Sequence, residues 1–165
     1  FALGVAKATS LSNAMLFSRY ISVMNGELNV HSDYMARLGI TQEDIDSAKR
    51  SLDSLSYTSY MLRVAYEETE VEIVAAILAC AYSYEVIAKK MVENNPAAVD
   101  DEFYGSWISG YVSEEYSEEN RVLIELLDDM TKSYTPAQIE HLKDVFLACS
   151  RYEMAFWDLS WNMSL

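Results

Sequence analysis

The groups in this sequence with the greatest chemical reach sit on two stretches of helical periodicity. Between Glu70 and Glu93, the residues Ile73, Ile77, Cys80, Tyr84 and Ile87 recur at spacings of four and three. That spacing puts them on one face of a helix, with Cys80 and Tyr84 one turn apart on an apolar stripe. A thiolate is a soft nucleophile, so Cys80 is a candidate for covalent catalysis. A thiol in this setting also packs simply as a small hydrophobe. Near the C-terminus, Phe146, Cys149, Glu153, Phe156 and Trp157 form a second stripe with a carboxylate inside it. Burying an unpaired carboxylate is costly. Glu153 is therefore expected either to pair with a basic neighbour such as Arg19 or Arg63, or to hold its proton through desolvation and act as acid and base. Asp158 and Glu140 are expected nearer the solvent.

Tyrosine supplies the third element, with 12 in 165 residues. The segment Tyr57-Thr58-Ser59-Tyr60-Met61 is dense in rings and hydroxyls, and Tyr111 follows Gly110 in a break between predicted helices, where a side chain can point into a pocket mouth. Tyrosine suits a flat heteroaromatic ligand because the ring stacks while the hydroxyl orients; core packing with satisfied hydroxyls is the plainer reading of any single one. Other chemistry is not signalled. Glu27 and His31 stand four apart, but a di-iron bundle needs two Glu-x-x-His pairs with further glutamates. His141 stands alone beside Glu140. Phosphate loops, zinc-type Cys/His spacing and a Gly-x-Ser-x-Gly elbow are all missing, so no metal or nucleotide cofactor is expected.

These residues have to be positioned by helices. Apolar periodicity and capping signals predict helices at roughly 1–24, 27–38, 42–49, 53–67, 70–93, 99–109, 114–132 and 136–162, with no strand alternation. Thr135-Pro136-Ala137-Gln138 and Thr69-Glu70-Val71-Glu72 have the capping-box form, Thr41-Gln42-Glu43-Asp44 follows a stop at Gly39, and Asn94-Asn95-Pro96 ends a helix. The class is all-α, with neighbouring helices mostly antiparallel, and the 165 residues suit one domain.

Composition narrows the partners. Twelve Lys and Arg against 26 Asp and Glu give a net charge of −14, which a nucleic acid or an anionic membrane would repel. The run Ser113–Asn120 (SEEYSEEN) reads as a solvated helix face. No apolar run approaches the roughly 20 residues needed to span a bilayer, and the polar-interrupted N-terminus does not read as a signal peptide. Two cysteines inside apolar helical patterns read as free thiols, which points to the cytoplasm. Phe1 falls within a helical pattern, as in a fragment of a longer chain.

Four ordered segments carry a resemblance: Tyr57–Met61; Ala75–Glu85 (AAILACAYSYE); Tyr104–Tyr111 (YGSWISGY); and Ser150–Trp157 (SRYEMAFW). Together with Gly26-Glu27, His31 and Leu38-Gly39-Ile40, they resemble the TenA/thiaminase II family over nearly the whole chain. The pairing of Cys80 with Tyr-Glu-x-x-Phe-Trp is similar to the cysteine-containing branch. The resemblance implies a heme-oxygenase-like multi-helix bundle, usually a homotetramer, that hydrolyses aminopyrimidines in thiamine salvage without a cofactor. By carry-over, Cys80 is the nucleophile and Glu153 the proton donor and acceptor. Tyr57, Tyr84 and Tyr111 match positions that line the pyrimidine pocket. The family also has an N-terminal stretch with an aspartate that holds the pyrimidine, and this chain begins just after the place where that stretch should end. Three other readings are a catalytically incomplete pyrimidine- or thiamine-binding protein, a haem-degrading or cofactorless oxidase with His31 or His141 as the only axial candidates, and a purely structural helical protein.

Overall fold

The computed structural model describes residues 1–163. Among them the chain forms α1 (Ala2–Lys7), α2 (Leu11–Arg37), α3 (Gln42–Ser47), α4 (Leu52–Glu67), α5 (Glu70–Asn94), a 3-10 turn at Pro96–Asp100, α6 (Gly105–Tyr111), α7 (Glu114–Thr131) and α8 (Pro136–Asn162), with no strand among the described residues. The fold is all-α, as the periodicity requires.

The three capping boxes read from the sequence all form. At α8, for instance, Thr135 Oγ1 accepts from the Gln138 amide while Gln138 Oε1 accepts from the Thr135 amide at 3.0 Å. Thr69 with Glu72 and Thr41 with Asp44 repeat the arrangement at α5 and α3. Each such cap is worth about 1 kcal/mol, which fixes where these helices begin.

The structure corrects three boundaries. The first predicted helix breaks at Ala8–Ser10, because Ser10 caps a new helix by accepting from the Asn13 amide at 3.1 Å. That helix, α2, then runs through Gly26 without stopping. An interior glycine costs a helix about 1 kcal/mol but does not end it without a cap, and the stop comes at Gly39 with φ of +72°. The predicted helix at 99–109 resolves into the 3-10 turn and α6. Asp101 Oδ1 accepts from the amides of Phe103 and Tyr104 at 2.9 and 2.7 Å, which turns the chain. Gly105 then packs so tightly that a Cβ there would lie 2.4 Å from the carbonyl oxygen of Val99.

Helix α5 is the axis of the bundle. On one side Val71, Ala75 and Ala79 pack against Val64 of α4 and Leu142, Val145 and Cys149 of α8. On the other, Val74 and Leu78 pack against Phe17 and Tyr20 of α2 and Leu123 of α7. Alanines at 75, 76 and 79 let the neighbouring helices approach closely. At the head of α5, buried Glu70 accepts from the Thr9 amide at 3.0 Å, from the Thr9 hydroxyl and from Asn13 Nδ2 at 3.1 Å, which ties the α1–α2 corner to the axis. By length and composition alone α5 is apolar enough to cross a membrane, contrary to the expectation that no stretch approaches this; 56% of its apolar window is buried inside the bundle. This central position also corrects the expected stripe. Residues 70–76 are buried on every side, whereas Ile77, Cys80, Tyr84 and Ile87 are only half-buried.

Candidate active site

Cys80 and Glu153 come together where α5 packs on α8. Glu153 is 5% exposed, and Tyr57, arriving from α4, donates to its Oε1 at 2.8 Å. Cys80 of α5 lies close enough to the same carboxylate for the charge of Glu153 to act on its thiol. The basic partners considered for Glu153 are engaged elsewhere: Arg19 pairs with Glu119, and Arg63 with Glu67 at 3.0 Å. A phenol, not a cation, is the hydrogen-bond donor to this carboxylate. Asp158 and Glu140 are exposed, as expected.

The electrostatics follow from this contact. Burial pushes the Cys80 thiol well above its ordinary pKa, and the negative charge of Glu153 pushes it further. Burial and then Glu153 act in the same way on the Tyr57 phenol. Cys149, one turn before Glu153 and 0% exposed, is pushed up to about 11 by burial and then by Glu153. Cys80 therefore rests as a protonated thiol beside a ready acceptor.

Beside the pair lies a cluster of rings. Tyr84 packs on Tyr111 at 5.0 Å between centroids, on Trp157 at 5.7 Å and on Trp107 at 6.0 Å. Tyr111 in turn meets Trp107 at 4.7 Å and Tyr116 at 4.9 Å. Tyr57 stacks on Tyr152 at 5.4 Å on the other flank. All five residues expected at the site thus share one neighbourhood. Burial first, then Glu153 and Cys80, raises the Tyr84 phenol, and burial followed by Glu27, Cys80 and Glu153 raises Tyr111. Tyr111 is the last residue of α6 and not, as read, part of a break.

Two cavities lie near this neighbourhood, the first against Ile73 and Ile77 of α5 and the second against Tyr111 and Trp107 of α6. One, of about 230 Å³, is lined by Phe1, Leu3, Met61, Ala65, Ile73 and Ile77. The other, of about 310 Å³, lies between α2 and α6 and is lined by Glu27, His31, Tyr34, Trp107, Tyr111 and Tyr116, among others. Its far end is tied by the Tyr34 and Ser106 hydroxyls at 2.8 Å. Neither of these two cavities is lined by Cys80 or Glu153; the larger is bounded by Tyr111, which the resemblance placed in the pyrimidine pocket.

Several members of this neighbourhood escaped sequence reasoning. Tyr116 sits in the acidic run read as solvated, yet its hydroxyl donates to the Ala81 carbonyl at 3.1 Å. Asn120, in the same run, is buried and donates to both Glu85 and the Ala81 carbonyl. Burial raises the pKa of Glu85, but hydrogen bonds from Lys89, Asn120 and Ser117 outweigh it and hold the carboxyl below its ordinary range. Glu27 was passed over as half of a failed metal motif. Its spacing from Val30, His31 and Tyr34 was the available signal. His141, which looked isolated, meets Glu68 at 3.3 Å and, with Glu72, places three donor atoms within 4.8 Å of one another at the α4–α5 corner. Glu72 is already committed there to capping Thr69.

Sequence comparison places the chain as a whole in a family. A profile of the TENA/THI-4/PQQC family matches residues 1–163. The chain belongs to this family. Over 163 residues it is 40% identical to an aminopyrimidine aminohydrolase of Helicobacter pylori, covering 98% of this chain and 75% of that one. It is 37% identical to an aminopyrimidine aminohydrolase of Halalkalibacterium halodurans, covering 98% of this chain and 72% of the relative. Among solved structures, a TenA homologue protein from P. horikoshii OT3 superposes with a TM-score of 0.81 at 27% identity, covering 98% of this chain and 73% of that one. The TenA neighbours share the all-α architecture described above.

Proposed function

We propose that this chain hydrolyses aminopyrimidines in thiamine salvage, replacing the amine on the methylene substituent of the ring with a hydroxyl. The observation that carries the reading is the meeting of Cys80, Glu153 and Tyr57 beside a wall of tyrosine and tryptophan. The two aminopyrimidine aminohydrolases to which the chain is 40% and 37% identical support the substrate class.

In this scheme the aromatic wall holds the flat pyrimidine against Cys80. A thiol whose pKa is raised by burial and by Glu153 is not pre-ionised, so its proton must leave as it attacks. Glu153 is the acceptor in place. The sulfur bonds to the ring carbon next to a ring nitrogen, the C=N electron pair moves to that nitrogen, and Glu153 passes it the proton taken from the thiol. An electron pair of the dearomatised ring then forms an exocyclic C=C bond and expels the protonated amine from the methylene as ammonia, which leaves with the C–N electron pair. Water adds to the exocyclic carbon as the pair of the exocyclic C=C bond returns to the ring, and the spare proton of the water passes to the released ammonia. Finally the C–S bond breaks, the nitrogen returns its proton through Glu153 to the thiolate, and aromatic hydroxymethylpyrimidine departs. Each step moves a proton or an electron pair between groups already named. Tyr57 holds Glu153 in line throughout.

The test is release of ammonia and hydroxymethylpyrimidine from aminomethylpyrimidine. Cys80→Ala should abolish it while leaving the helical circular dichroism intact; retained turnover would remove Cys80 from the chemistry. Binding without turnover by the unaltered protein would point to the binding-only alternative. The proposal extends to a single-domain, cytoplasmic homotetramer that does not engage nucleic acid or membrane. The exposed Met154, Phe156, Trp157 and Trp161 on α8 support self-association, and the net charge of −14 supports the lack of a nucleic-acid partner. Sedimentation analysis tests the tetramer.

A further inference from the structure

We propose that Glu27 makes the cavity between α2 and α6 a subsite for a positively charged substituent on the substrate, and so selects pyrimidines whose leaving group is cationic. The inference rests on the aminopyrimidine reading above and specifies what that site prefers.

The cavity has the composition of a cation site. Trp107, Tyr34, Tyr111 and Tyr116 offer ring faces, Glu27 is the one carboxylate in the lining, and neither Lys nor Arg lines it. None of the ion pairs among the described residues engages Glu27. A half-buried carboxylate among aromatic rings, with no Lys or Arg in the lining and His31 the one titratable base there, attracts an ammonium or a thiazolium, by a charge-assisted contact and by the negative ring faces together. Its volume of about 310 Å³ admits a substituent of that size.

Its position fits a leaving-group pocket. Tyr111 is shared between this cavity and the ring cluster on Tyr84, one helical turn from Cys80. The charge of Glu27 reaches the thiol: after burial and Glu153, it is the next contributor to raising Cys80, and it acts likewise on Tyr111, Tyr116 and Tyr84. A pyrimidine held over Cys80 with its methylene turned toward Tyr111 presents the substituent to the side of the ring cluster on which Glu27 lies. Glu153 serves the ring and Glu27 the group that departs from it. Glu27 is here a specificity residue, not a catalytic one.

The experiment measures binding of aminomethylpyrimidine, cationic at neutral pH, and of neutral hydroxymethylpyrimidine by titration calorimetry in the Cys80→Ala background, with and without Glu27→Gln. Loss of one charge-assisted contact predicts about tenfold weaker binding of the cation, with the neutral ligand changed by less than about twofold. Glu27→Asp should recover part of the loss. In the Cys80-containing protein, Glu27→Gln should also speed alkylation of Cys80 at fixed pH, which a merely structural residue would not do. Equal loss for both ligands, or no loss for either, overturns the inference while leaving the aminopyrimidine reading standing. A parent protein that neither binds nor converts either pyrimidine overturns both.

Discussion

Glu153→Gln should make Cys80 more reactive toward a simple alkylating agent and, at the same time, far less able to turn over an aminopyrimidine. The substitution keeps the shape of the side chain and its ability to accept from Tyr57, but it removes the charge that faces the thiol. Two unit charges about 4 Å apart interact by roughly 4 kcal/mol at the effective dielectric of a protein surface. Cys80 is only half-buried, and solvent screening reduces this to a shift of about one to two pKa units, each worth about 1.4 kcal/mol. At any pH below the thiol's pKa, the thiolate fraction should therefore rise about ten- to a hundredfold. The assay is the rate of iodoacetamide alkylation between pH 7 and 10, with the modified peptide identified by mass spectrometry; Cys149, fully enclosed in the folded protein, should stay unmodified. Burial still acts in the variant, so Cys80 should not reach the reactivity of a free cysteine. Turnover should fall by more than a hundredfold, since the acid–base group itself is gone. Unchanged or slower alkylation, with the melting temperature retained, would refute the claim that Glu153 sets the state of the thiol.

Stability should decline on the alkaline side. The folded pKa values of Cys80 and Cys149 lie above the unfolded value of about 8.5, with Cys149 at about 11. Below the unfolded value both states hold the proton and nothing is lost. Between the two values the unfolded chain has ionised while the native state has not, so stability falls as pH rises. The urea midpoint should drop from about pH 8.5 upward, and Cys149→Ala should flatten that slope; a midpoint flat up to pH 11 would contradict it. Gly105→Ala should destabilise the fold by about 1–3 kcal/mol. Its Cβ would strike the Val99 carbonyl at 2.4 Å, and a backbone oxygen cannot swing aside. A lower melting temperature should come with weakened pyrimidine binding, because α6 carries Trp107 and Tyr111.

The helices were legible because their ends are written in local chemistry. Thr41, Thr69 and Thr135 each cap as their spacing to Asp44, Glu72 and Gln138 implied. The α1–α2 boundary was not, because a short Thr-Ser pair outweighed unbroken apolar periodicity, and a lone Gly26 looked more disruptive than it is. The placement of Cys80, Glu153 and Tyr57 followed from stripe arithmetic together with the family resemblance. What periodicity could not supply was the partner of each group. Glu153 meets Tyr57, 96 positions away, and no local rule says whether a buried carboxylate will find a guanidinium or a phenol. Tyr116 and Asn120 were hidden for a related reason: on a helix, charged neighbours at 114, 115 and 118 leave the next face free to be buried.

The enclosure of the first turns of α5 also governs the aim of the thiol. A helix gripped on opposite sides by Val64, Val145 and Cys149, and by Phe17 and Leu123, cannot roll about its own length. Cys80 begins directly after the gripped segment, so the bearing of its sulfur is inherited from alanines and valines packed inside the bundle. Enlarging any of Ala75, Ala76 or Ala79 would turn the shaft, and the nucleophile would swing off target with every pocket side chain still present.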